Sequence, residues 1–189
     1  MPPVRTELVP HPSNPHPAPD IRVAASVERT ARGCDFRYEV AGRVADVLWP
    51  AAGAPQRREG LWRHTCFEAF CAVPHGSTYY EFNFSPSAAW AVYRFGGYRE
   101  RLADPELTSA PAIHLRRGDF ESRLDVTLDI AGLPRIAPAR PLDVGLGAVI
   151  ESLDGGIHYY ALAHPAEVAD FHDRRGFVLT LGGYGGPAS

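Results

Sequence analysis

The sequence predicts an all-β fold, an antiparallel β-sandwich of the jelly-roll or immunoglobulin-like kind with about ten strands. Three observations carry that expectation. Apolar and polar residues alternate with period two in one segment after another, no long segment repeats its apolar residues at helical spacing, and 18 Gly and 18 Pro punctuate the chain. Strands alternating with helices would imply a parallel sheet, whereas strands joined by short turns imply antiparallel pairing.

Taken in order, residues 1–20 carry Pro10, Pro12, Pro15, Pro17 and Pro19. Proline fixes φ and removes a backbone donor, so the segment is expected to be an extended arm, outside any helix or central strand, with His11 and His16 solvated. Residues 21–189 are expected to form a single domain. Ile21, Val23, Ala25 and Val27 alternate with Arg22, Ser26 and Glu28, and Phe36, Tyr38 and Val40 alternate with Arg37 and Glu39. The clearest alternation sets Leu124, Val126, Leu128 and Ile130 against Arg123, Asp125, Thr127 and Asp129. Further strands are expected at 65–73, 79–84, 89–95, 113–116, 143–151, 157–163 and 177–181. Between them there is room for at most a turn or two of helix, near 166–170.

Composition narrows the function. A chain of 189 residues suits one hydrophobic core, and 45% hydrophobic with 22% charged residues excludes wholesale disorder. A net charge of −3 without a basic stripe argues against nucleic acid as a partner. Every basic residue is Arg, which removes Schiff-base and phosphate-loop lysines from any mechanism. The start shows no apolar stretch behind a basic segment and no run approaches a membrane span, so a cytoplasmic location without a membrane partner is the expectation. Cys34, Cys66 and Cys71 are an odd set, the last two fall on opposite faces of one strand, and all three are expected to be buried thiols.

The stretch from Leu61 to Tyr98 is the most informative. If 74–77 is a four-residue hairpin loop, Glu68 faces Asn83 and Phe70 faces Glu81. If the next turn runs 85–88, Asn83 faces Trp90 and Tyr79 faces Arg94. One face then collects Phe67, Ala69, Cys71, Val73, Tyr80, Phe82 and Phe84 with Ala89, Ala91, Tyr93 and Phe95, as a core requires. The other carries Glu68, Glu81, Asn83, Trp90 and Arg94 among Tyr79, Phe70 and Val92. An indole face with carboxylate, amide and guanidinium groups suits a sugar, although the same groups can form a plain cross-strand ion and amide network. Trp62 precedes these strands where it can project over the polar face or cap the core, and His64 shares the parity of Glu68.

The segments LWRHTCFEAF at 61–70, YYEFNFSPS at 79–87 with Trp90, and YYALAHP followed by DFHDRRGF near the C-terminus carry a resemblance that spans nearly the whole chain. They resemble the DOMON-like domains related to family 9 carbohydrate-binding modules, in particular the bacterial group named for its proximity to a cell-wall precursor reductase. The resemblance implies a β-sandwich that binds sugar or, in other branches, haem. In the sugar-binding modules a tryptophan and a glutamate six positions later take part in binding, and Trp62 and Glu68 match that pair. Those modules complete a clamp with a second tryptophan on a late strand. Here the corresponding stretch, 161–165, has His164 and no Trp.

The resulting expectation is a non-catalytic domain that binds a small sugar or polyol through Trp62, His64, Glu68, Glu81, Asn83, Trp90, Arg94 and His164, without a cofactor. Four alternatives compete with it. The related haem domains use Met with His or Lys, whereas here Met1 is the only methionine and lysine is absent, leaving paired histidines for haem. Asp170 and His172, with Asp173 and His164 near, offer metal ligands at a spacing that matches no established zinc signature. Glu68 and Glu81 could form the carboxyl pair of a glycosidase. An aromatic face around Trp62 and Trp90 could instead meet a protein partner.

Overall fold

Nearly every segment with period-two alternation is a strand in the computed structural model, which describes residues 4–185. The strands are β1 (Val4–Pro10), β2 (Ile21–Arg29), β3 (Gly33–Gly42), β4 (Gln56–Arg57), β5 (Cys66–Ala72) and β6 (Tyr79–Phe84). They continue with β7 (Ala89–Phe95), β8 (Ala112–Arg117), β9 (Glu121–Asp129), β10 (Leu142–Glu151), β11 (Ile157–Ala161) and β12 (Leu179–Leu181). Helix among the described residues is limited to single 3-10 turns at Val44–Asp46, Leu61–Arg63 and Arg174–Gly176, and 166–170 is irregular. None of these is long and apolar enough to cross a membrane.

The strands form one mixed sheet in the order β4-β7-β6-β5-β10-β11-β1-β2-β3-β9-β8, with β12 beside β10, and the sheet curls into a half-barrel. This corrects the expectation of two separate antiparallel sheets. β4 runs parallel to β7. β1 joins the two halves, since Val4 to Leu8 pair with β2 while Val9 and Pro10 pair with β11.

The extended arm is corrected by the same finding, because its first part is a central strand. The prolines of the 10–19 run begin only at the last residue of β1, so residues 4–9 keep the N–H groups that a ladder needs. His11 is not solvated either. It is 3% exposed, its backbone N–H donates to the Tyr159 carbonyl at 2.8 Å, and its Nε2 lies 3.2 Å from the Ala166 carbonyl oxygen.

The main core lies between the facing halves of the sheet. Tyr38 stacks obliquely on Phe67 with ring centroids 4.9 Å apart, Phe36 meets Phe84 at 5.7 Å, and Val27, Leu124, Val126, Val144 and Leu146 fill the space around them. Each such fully buried side chain contributes roughly 1.5–3 kcal/mol. All three cysteines are buried free thiols, as expected, and burial pushes each pKa up.

A second apolar cluster covers the opposite face of β5, β6 and β7, where Phe70, Tyr79, Tyr93 and Phe95 pack beneath Phe171 and Phe177 of the C-terminal segment. That segment crosses β10 at two glycines. A Cβ on Gly145 would lie 2.8 Å from the Phe177 ring, and one on Gly147 would lie 2.9 Å from the Phe171 ring. Both approaches exclude any larger residue without a shift.

Strand register decides which side chains share that face. β5 and β6 pair as expected, with Glu68 opposite Asn83 and Phe70 opposite Glu81. β6 and β7 are offset by one residue from the expectation: Phe84 faces Trp90, Asn83 faces Ala91 and Glu81 faces Tyr93. Ser85 and Ala89 are the closing pair, so the loop holds three residues and ends at Ala88 with φ 68°. An odd loop of this kind places its last residue in the left-handed region, and a one-residue slip exchanges the two faces of the strand. Trp90, Val92 and Arg94 therefore point away from Glu68 and Glu81, and Trp90 and Val92 join the main core. Ala91, Tyr93 and Phe95, expected in that core, lie on the other side.

Candidate functional site

On the outer face of β5 and β6, Glu68 and Glu81 form the floor of a cleft of about 560 Å³. Their strands pair so that the two residues are diagonal neighbours, roughly 7 Å apart at the backbone. Tyr93 and Phe95 rise beside them from β7, Tyr159 from β11, and Phe171 and His172 from the C-terminal segment laid over Gly147. Glu59, Trp62, Arg63, Arg99 and Arg101 also line the cleft, at its mouth.

The carboxyl groups are almost wholly covered, at 4% exposure for Glu68 and 5% for Glu81. Oε1 of Glu81 accepts a hydrogen bond from the Asn83 amide at 2.6 Å. Burial still pushes its pKa up to about 7, against the Asn83 hydrogen bond and the fields of Arg99 and Arg101. The Glu68 carboxyl receives no hydrogen bond or ion pair from the described residues. Burial raises its pKa well above the usual carboxylate range, the Glu81 charge adds to the effect, and Arg99 opposes it. Glu81 thus enters the neutral pH range partly protonated, and Glu68 is shifted in the same direction.

Two of the three arginines at the mouth, Arg99 and Arg101, are already engaged. Arg99 donates to Asp170 at 2.8 Å, and Arg101 donates to Glu59 at 2.9 Å and to Asp104 at 2.7 Å. The Arg101 guanidinium also sits 4.5 Å above the Tyr93 ring, whose hydroxyl donates to Glu59 at 3.3 Å. Burial, with the Glu59 charge behind it, raises Tyr93 to about 12. His172 packs edge-on to Phe95 and Phe70, and burial holds its pKa down at about 4.

The sequence-derived candidates divide between this cleft and the rest of the molecule. Trp62, Glu68 and Glu81 line it, with Trp62 47% exposed at the mouth and the Arg63 guanidinium 5.2 Å from its ring. Asn83 shares the sheet face of Glu68 and Glu81 but does not line the cleft; it is 1% exposed and acts by holding Glu81. His64 faces away and pairs with Glu151 at 2.8 Å. His164 stands behind the Phe171 wall, where its Nε2–H donates to the Val9 carbonyl at 2.9 Å and its ring meets His11 at 4.6 Å. Trp90 and Arg94 are on the opposite side of β7, as the register dictates.

Of the two candidate metal ligands, His172 lines the cleft but its Nδ1 is occupied by the Tyr79 hydroxyl at 2.9 Å. The Asp170 carboxylate is taken by the Tyr98 hydroxyl, Arg99 and the His172 backbone N–H. Among the described residues no group of three or more His, Cys, Asp or Glu side chains is placed to hold a metal.

Sequence reasoning did not assign Glu59, Arg99, Arg101, Tyr159 or Phe171 to the site. Glu59, Arg99 and Arg101 come from turns without periodicity. Phe171 lies in DFHDRRGF, a segment the family resemblance had already marked, so its signal was present without its place.

No family model matches the chain, and no curated protein matches it. Solved structures do. The crystal structure of a "putative carbohydrate-binding protein" from Bacteroides uniformis ATCC 8492 aligns over 92% of this chain and 83% of its own, with a TM-score of 0.68 and 16% identity. A family 9 carbohydrate-binding module from Caldicellulosiruptor kristjanssonii in complex with cellotriose aligns over 77% and 67%, with a TM-score of 0.46 and 8% identity. A family 9 module from the same organism in complex with glucose aligns over 82% and 73%, with a TM-score of 0.45 and 8% identity. At its level of identity the first of these likenesses concerns architecture, and it shows that the chain shares the fold of the Bacteroides protein along almost its entire length.

Proposed function

We propose that the cleft binds a small sugar or sugar-like polyol and that the domain leaves its ligand chemically unchanged. One observation carries this reading: two buried carboxyl groups form the floor of a space walled by the rings of Trp62, Tyr93, Tyr159 and Phe171. Axial C–H groups of a sugar rest on aromatic faces while its hydroxyls pair with carboxyl oxygens. A volume of about 560 Å³ lies within the roughly 300–1,000 Å³ of small-molecule sites. The shared fold with a protein described as carbohydrate-binding, and the resemblance carried by Trp62 and Glu68, support it.

A glycosidase also needs two carboxyl groups, set on either side of the bond to be cut. Here both rise from adjacent strands of one sheet face and approach a ligand from the same side, which suits a receptor better.

The experiment is a thermal-shift screen of mono- and disaccharides followed by calorimetric titration, since a ligand specific to the native state raises its melting temperature. Trp62→Ala is expected to abolish the shift, and Glu68→Gln to reduce it, while the protein stays folded. If both variants bind as the wild type does, the cleft is not the sugar site. Sustained release of free sugar from a glycoside would show that the domain is an enzyme.

A further inference from the structure

Resting on the reading of the cleft as a sugar site, we infer that its ligand is cationic: an amino sugar, whose ammonium group sits between Glu68 and Glu81. The floor lacks a positive charge of its own. The Glu68 carboxyl is 4% exposed, opens into the cleft and has no partner among the described residues. Glu81 is held by an amide, and Nε2 of His172 lies 3.5 Å from its Oε2. Of the three cations at the mouth, Arg99 is turned to Asp170 and Arg101 to Glu59 and Asp104, while Arg63 lies over the Trp62 ring.

A buried carboxyl left in this state either keeps a proton or waits for a cation. A neutral polyol offers hydroxyl donors but leaves the repulsion between the two groups in place. An ammonium relieves that repulsion, makes charge-assisted hydrogen bonds to both oxygen sets, and meets the negative faces of the surrounding rings. Burial is the main force that raises both carboxyls, against the fields of the mouth arginines, so an entering ammonium favours their ionised forms and the protons leave to solvent.

The test compares three probes by calorimetric titration of the whole chain at neutral pH: glucosamine, glucose and cyclohexylamine. Glucosamine is expected to bind at least about tenfold more tightly than either, the factor expected of one charge-assisted hydrogen bond. Glu68→Gln and Glu81→Gln should each erase most of the preference over glucose, with circular dichroism confirming that both variants fold. Equal affinity for glucosamine and glucose would overturn the cationic assignment and leave the sugar reading standing. Equal affinity for glucosamine and cyclohexylamine would overturn the sugar reading and leave the cation site standing. Binding of none of the three overturns the amino-sugar assignment outright, and the wider saccharide screen then decides the sugar reading by itself.

Discussion

The Tyr79 hydroxyl lies between the backbone N–H of Arg99, which donates to it at 3.1 Å, and Nδ1 of His172, at 2.9 Å. Because it accepts from Arg99, its own proton is free to be donated to Nδ1, the arrangement that puts the imidazole proton on Nε2, 3.5 Å from Oε2 of Glu81. With its pKa held at about 4, the ring is neutral at pH 7, and the contact is a long N–H···O approach without an ion pair. Tyr79→Phe removes both hydrogen bonds and is expected to cost about 1–3 kcal/mol in urea unfolding. Nitrogen NMR should show a single Nε2–H tautomer in the wild type and a mixture in the variant. An unchanged tautomer would show that something other than Tyr79 sets the ring.

His172 and Glu81 also make the protein's pH dependence a balance of opposite slopes. Glu81 is raised to about 7 in the folded state, so between about 4.5 and 7 the folded protein holds a proton that the unfolded chain has lost, and stability rises as pH falls through that window. His172 is lowered to about 4, so below about 6.5 the unfolded chain takes a proton that the folded ring refuses, and stability drops as pH falls. Arg99, Arg101 and Glu59 act on the carboxyl, and Arg99 and Asp170 act on the ring. Each contribution amounts to about 2 kcal/mol between pH 7 and 5. His172→Gln should therefore gain stability on acidification and Glu81→Gln should lose it, read by denaturant titrations at pH 5, 6 and 7. Parallel curves for the two variants would refute the assignment.

Gly147 and Gly145 set how closely the C-terminal wall approaches the floor. Gly147→Ala places a Cβ 2.9 Å from the Phe171 ring, an overpacking expected to cost about 1–3 kcal/mol and to widen the cleft. Affinity for the bound sugar should fall with stability. In a Phe171→Leu background the same substitution should cost less, because the smaller side chain yields. A full, additive penalty in the double variant would mean that Phe171 is not what Gly147 accommodates.

How much of this was legible depended on whether a feature leaves a periodic or a turn-residue trace. The β5–β6 pairing could be counted from the Pro74–Ser77 loop, and it correctly set Glu68 opposite Asn83 and Phe70 opposite Glu81. The β6–β7 pairing turns on the left-handed φ of Ala88, and alanine, unlike glycine or asparagine, gives no sign of that conformation. β1 was hidden by its own prolines, which in fact start where its ladder stops. The wall over β10 rests on close approach at two glycines by a segment without repeat, a tertiary fact that no local pattern encodes.

The β7 faces offer the sharpest contrast between the two registers. With Ser85 N–H donating to the Ala89 carbonyl at 2.9 Å and Ala88 N–H to the Ser85 carbonyl at 3.0 Å, Tyr93 meets the cleft and Arg94 does not. Tyr93→Leu should weaken sugar binding about tenfold or more, the loss of roughly one aromatic contact of 1.4 kcal/mol, while Arg94→Ala leaves affinity unchanged. Ala88→Gly relieves a positive φ and should stabilise the hairpin by about 1 kcal/mol without altering either result. A four-residue loop would reverse the order of the first two variants, because Arg94 would then face Tyr79 on the side of Glu81 and the tyrosine ring would be sealed in the main core.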